Sequence, residues 1–196
     1  MNTNLETLAI QYLTRPEVTV SLSARKILND WAESRARYAM RCMPDGFHVE
    51  YVNDPDPYPT GEAMIESVKR DNVLRVSTCN NTSPVFEPDT NLHLRMAHDI
   101  LDHVLIDNGF TVANEVLATR NVIDDFNDYC EHPDTVWYSE TGDEYWECLQ
   151  ALYCEFALQP IAADWLGGYG ATRAGLSFSQ RIVNVSNLVQ LLDTLA

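Results

Sequence analysis

Residues 54 to 59 read Asp-Pro-Asp-Pro-Tyr-Pro, and no other stretch of this chain restricts its fold more. Pro55, Pro57 and Pro59 each fix φ, remove a backbone donor and push the preceding residue out of helical space. The segment is therefore an extended connection, and regular elements end before it and restart after it. On its N-terminal side Phe47, Val49 and Tyr51 alternate with polar residues, as in a short half-buried strand. Earlier still, Ile27, Leu28, Trp31, Tyr38 and Met40 recur at roughly helical spacing. That pattern predicts a helix capped by Ser21 or Ser23 and running to about Met43, where Pro44, Asp45 and Gly46 stop it.

Beyond the prolines a second short helix starts at Thr60, and residues 73–78 form another strand able to pair with the first. Residues 80–88 are loop. Asp89, a good N-cap, opens a helical pattern reaching about Asp107, and Asn108-Gly109 ends it with residues suited to a left-handed turn. Thr111 caps a third long helix ending near Tyr129. Residues 144–165 are a fourth, with a kink or break expected near Gln159 because Pro160 lies inside it. Gly167, Gly168, Gly170 and Gly175 read as a flexible connecting loop, and residues 180–196 as a last helix. There is no internal repeat. The fold class that follows is mainly α within α+β: one helical, bundle-like domain over 1–196 with a small two-stranded sheet.

A length of 196 residues suffices for one sizeable core. With 13 Lys+Arg against 29 Asp+Glu the formal charge is -16, which repels phosphate backbones and argues against direct nucleic-acid binding. Cys42, Cys79, Cys130, Cys148 and Cys154 contain no Cys-x-x-Cys pair, so neither a disulfide framework nor a thiolate zinc site is suggested. A reducing, cytoplasmic setting fits that usage. No secretory signal is expected in the first twenty residues, and no apolar run approaches the roughly 18 residues of a membrane span.

Three of the five histidines, His93, His98 and His103, fall within eleven residues of one predicted helix. Residues five apart lie about 140° apart around an α-helix, whereas the i,i+4 pair of a zinc-protease helix lies about 40° apart. His98 and His103 meet only if the helix is bulged near the second histidine, or if a metal sits off the helix with both rings reaching round to it. Two imidazoles with one carboxylate suit mononuclear iron(II). Glu155, set among Leu152, Phe156 and Leu158, is the candidate carboxylate, because a carboxylate on an apolar stretch needs a partner. The plainer alternative is that His98 pairs with Asp102 and Asp99 with His103 as solvated i,i+4 surface pairs, while Glu155, Glu115, Asp124, Asp125 and Asp128 lie on exposed helix faces.

Taken together the segments carry a resemblance. His98-Asp-Ile-Leu-Asp-His103-Val resembles the His-Glu-Leu-Leu-Gly-His-Val segment of the pterin-dependent aromatic amino acid hydroxylases. Phe110 and Asn114-Glu115 loosely match their following Phe and Gln-Glu, and Glu155-Phe-Ala-Leu158 stands where their iron-binding Glu-Phe-Gly-Leu lies. The resemblance covers roughly residues 90 to 160. It implies an abbreviated hydroxylase-like core with His98, His103 and Glu155 as iron ligands, Glu115 lining the site and a tetrahydropterin as reductant. Asp99, Asp102 and Leu105 depart from that family's Glu, Gly and Pro, and Ala151 and Leu152 from its Trp-Phe. The chain is also similar to uncharacterised proteins of tailed bacteriophages, through Pro57-Tyr58-Pro59, Asn91, Arg95, His98, Asp99, Glu155 and Gln159; that likeness implies an infected host's cytoplasm and no known activity.

The leading expectation is a mononuclear non-haem iron(II) oxygenase acting on an unidentified small molecule. Asp99 and Asp102 would orient the imidazoles from behind. Tyr145, Trp146 and Tyr153 are pocket walls or, more simply, core aromatics. Two readings compete: zinc-dependent hydrolysis with Glu115 or Asp99 as general base, and an acidic module binding a basic host protein without catalysis.

Overall fold

The computed structural model describes residues 3–132 and 142–185. They form two compact units: Lys26–Phe110, and Met1–Arg25 together with Thr111–Ala196. The protein is mainly helical with a small two-stranded sheet. No helix among the described residues is long and apolar enough to cross a membrane.

The Lys26–Phe110 unit contains most of helix α2 (Leu22–Cys42), then strand β1 (His48–Val52), helix α3 (Gly61–Asp71), strand β2 (Val73–Ser77) and helix α4 (Pro88–His98). The chain continues from α4 without interruption into a π-helical segment, Asp99–Val104. β1 and β2 pair in parallel with His48 opposite Val73. A parallel pair needs a crossover rather than a hairpin, and α3 supplies it. Thr60 caps α3 by accepting from the Ala63 N–H, and Asn72 ends it in the left-handed region. Tyr58, from the proline run, accepts the Arg75 N–H at 2.8 Å and so anchors the extended connection to β2. The core gathers Ala36 and Ala39 of α2, Met64, Ile65 and Val68 of α3, Leu74 and Val76 of β2, and Met96, Ala97, Ile100 and Val104.

In the other unit, helix α1 (Thr3–Thr14) packs on helix α7 (Gln159–Leu166). Helices α5 (Val112–Glu131) and α6 (Asp143–Tyr153) complete the helical layer, and α6 runs into a second π-helical segment, Cys154–Leu158. Leu8, Tyr12, Val122, Phe126, Leu152, Leu158 and Ile161 are fully buried. Burial of Tyr12 drives its hydroxyl far above the ordinary phenol range, and that hydroxyl is held by backbone groups of Ser179 and Arg181.

Four expectations change. The cap of α4 is Glu87, followed by Pro88, not Asp89, because proline's fixed φ suits the first helical position and starts the helix two residues earlier. The left-handed residue after the histidines is Asp107, at φ 57°, rather than Asn108 or Gly109. The glycine-rich loop contains a hairpin, β3 (Thr172–Arg173) with β4 (Leu176–Ser177), turned by Ala174 and Gly175 at positive φ. Residues 180–185 are not the start of a helix: Val183 bridges Glu17, while 186–196 lie outside the described residues. Helix α1 lacked any sequence prediction.

Candidate metal centre

The sequence difficulty at His98 and His103 is resolved by the backbone. Leu105 N–H bonds to the Ile100 carbonyl and Asn108 N–H to the His103 carbonyl, each reaching five residues back. A turn closed over five residues brings i,i+5 side chains to one face, as an α-turn does for i,i+4. The Nε2 atoms of His98 and His103 stand 3.1 Å apart, with the rings edge to face.

Each imidazole is held from behind through Nδ1. His98 Nδ1 donates to Asp102 Oδ2 at 2.9 Å, and His103 Nδ1 donates to the Asn108 carbonyl at 2.9 Å. A carbonyl oxygen only accepts, so the His103 proton must lie on Nδ1. Asp102 accepts as well: burial alone would raise its carboxyl, but the His98 hydrogen bond, the His98 charge and Arg35 together hold it below the ordinary carboxylate range. In neutral rings both protons are then used behind, and two Nε2 lone pairs point at each other. Such lone pairs repel unless a cation, either a proton or a metal ion, lies between them. Oriented Nδ1–H groups with Nε2 turned inward are the arrangement that metal-ligating histidines show.

The support behind the rings is buried. Arg35 Nη2 donates to the same Asp102 oxygen at 2.6 Å, and the Arg35 and Asp102 side chains are 2% and 1% exposed. The Arg35 guanidinium also lies over the Trp31 ring, 5.7 Å from its centroid. Asn108 is buried, and its Nδ2 donates to the Asp102 carbonyl at 3.3 Å, so one asparagine braces both histidine partners. Phe110 sets its ring edge to face with His103 at 4.8 Å.

These contacts correct the picture of solvated surface pairs. His98 does pair with Asp102, but inside the unit, and His103 bonds Asn108 where Asp99 was expected to orient it. Asp99 is half-buried on the π-segment. His93 is bonded to Glu33 at 2.9 Å. Arg35 and Asn108 were missed by sequence reasoning. Arg35 left one trace, since it falls four residues after Trp31 and eight after Ile27, a charge on an apolar helical stripe. Asn108 left none beyond its use as a helix stop.

The two glutamates lie in the other unit. Glu115 is half-buried in the first turn of α5, where Thr111 caps the helix as expected by accepting from the Asn114 N–H. Glu155 is half-buried on the second π-segment, where Gln159 Nε2 donates to its Oε2 at 2.5 Å. Of the candidate pocket aromatics, Tyr145 stacks on Phe126 and donates to Asn127, while Trp146 is 62% exposed.

Comparison of the chain with protein families, with curated proteins and with solved structures found no match.

Proposed function

We propose that the protein binds a divalent metal through His98 Nε2 and His103 Nε2 with one glutamate, iron(II) being the first candidate. The observation that carries this reading is the pair of inward-facing Nε2 atoms, each backed by a buried acceptor on Nδ1. Glu115 is the first carboxylate to test and Glu155, chosen from its apolar sequence setting, the second. Two imidazoles and one carboxylate leave positions open, and iron(II) so held supplies oxygen activation when bound. The residues of this chain hold the rings in one tautomer, keep Asp102 ionised and exclude water behind the site.

On this reading the protein is an oxygenase acting on a small molecule, with a reductant, a tetrahydropterin among the candidates, as electron source. An abbreviated hydroxylase-like core belongs to the same proposal, and its support is the order of the three segments His98–His103, Glu115 and Glu155. Zinc with a metal-bound water is the alternative chemistry for the same ligands, with Glu115 or Asp99 as base. The charge of -16 favours one reading of another class, a module that binds a basic protein.

Metal analysis after anaerobic iron(II) loading decides between them, using wild type and His98→Ala, His103→Ala, Glu115→Ala and Glu155→Ala, with circular dichroism to verify folding. Near-stoichiometric iron in wild type, lost with either histidine and with one glutamate, is the expected result. Zinc retained in preference to iron points to hydrolysis. A folded wild type that takes up neither metal removes the proposal.

A further inference from the structure

We infer that Gly61 is a positioning residue for His103, acting through the 108–110 turn. This deepens the metal-binding reading by naming what holds one ligand ring in place. His103 owes its orientation to the Asn108 carbonyl, and Asn108 is followed directly by the backbone that helix α3 presses upon. A Cβ built on Gly61 would stand 2.7 Å from the Phe110 nitrogen, 2.9 Å from the Gly109 Cα and 3.1 Å from the Gly109 carbonyl carbon. Two of these contacts are closer than any Cβ tolerates, and all are to backbone, which cannot swing aside as a side chain does. Only glycine lets the first turn of α3 touch this turn.

The same helix holds the turn a second time. Lys69 Nζ, near the C-terminal end of α3, lies 2.8 Å from Asp107 Oδ1, one residue before Asn108. The start of α3 is in turn placed by Thr60, its cap, and by Tyr58 on β2. The proline run and the glycine after it thereby gain a role. They deliver a helix whose N-terminal turn sets the carbonyl that fixes the His103 tautomer. His98 Nδ1 is backed by the Asp102 carboxylate, which Arg35 holds, and the turn reaches that partner only through the weaker Asn108 hydrogen bond to the Asp102 main-chain carbonyl.

That asymmetry provides the test. Nitrogen-15 NMR of the metal-free protein reads the tautomer of each ring separately, and iron(II) titration under anaerobic conditions reads affinity. In Gly61→Ala the His103 ring is expected to lose its Nδ1–H preference while His98 keeps its own, and iron(II) affinity to fall about 10-fold or more, as for loss of a group that orients a ligand. Lys69→Ala, an exposed change that leaves the core intact, is expected to speed exchange of the His103 ring proton alone. Gly170→Ala, where a Cβ meets nothing within 4 Å, is expected to change neither. The inference is overturned if His103 keeps its tautomer in Gly61→Ala and its proton exchange rate in Lys69→Ala, or if both rings change together. Failure of wild type to bind iron(II) would remove the metal reading, while the ring tautomers still decide the role of Gly61.

Discussion

The two π-helical segments look alike along the chain and have opposite causes. Cys154–Leu158 leads directly into Pro160, which has no N–H for a carbonyl four residues back and whose ring would collide with that carbonyl. Widening the turn to the bond from Gln159 N–H to the Cys154 carbonyl removes the collision. Asp99–Val104 contains neither proline nor glycine. Nothing in its backbone chemistry calls for a wide turn, which is less favourable than an α-turn. What compensates is polar and tertiary: Arg35 and His98 on Asp102, and Asn108 on His103. A wide turn imposed by a proline says little about function, whereas the one held by buried charged and aromatic nitrogen groups carries the proposed metal ligands.

The largest effect expected from breaking this contrast is on the polar segment. Asp102→Leu leaves the Arg35 guanidinium buried without its carboxylate and should cost about 3–5 kcal/mol in urea unfolding. Arg35→Met combined with Asp102→Leu should recover most of that stability yet not the protection of the Leu105 and Asn108 amides from hydrogen exchange. Full protection in the double variant would mean that packing alone makes the wide turn.

Alkaline pH should act on the other segment. Cys154, its first residue, is fully buried, and its Sγ lies 3.4 Å from the Val183 nitrogen. Burial pushes its thiol from 9.0 up to about 12. Between those values the unfolded chain loses the proton and the native chain keeps it, so stability falls as pH rises, by up to about 1.4 kcal/mol per pH unit. Cys148, also raised by burial, adds to the slope. Cys154→Ala should flatten it; an unchanged slope would locate the effect elsewhere.

The smallest effect is expected at Pro160. Pro160→Ala should lower stability by about 0.5–1 kcal/mol, the entropy that proline removes from the unfolded chain. The new amide at position 160 should exchange slowly as the turn tightens to α geometry. Exchange at the rate of open chain would show that packing, and not the proline, sets this turn.

Much of the framework is legible in the order of residues alone. The α2 pattern, the helix start at Thr60, the Thr111 cap, the pairing of 47–51 with 73–78 and the irregularity before Pro160 were all readable from periodicity, turn residues, capping and ring closure. Helix α1 was missed, although Leu8 and Tyr12, four residues apart, are both fully buried. In the candidate centre, the histidine pair and the need for a bulged helix were readable from a five-residue spacing. The partners that hold the rings were not, because Arg35 lies 67 positions from Asp102.

By itself, then, the sequence determined where helices can start and stop, that the proline run must be extended, and which side chains have metal-binding chemistry. Those properties reside in single residues and their near neighbours. Tertiary structure alone decided that Asp102 and Arg35 are buried, that the Asn108 carbonyl faces His103, and that Gly61 touches Gly109 and Phe110. Whether a polar group is solvated or must find a partner depends on what packs against it, and that is settled by residues far away along the chain.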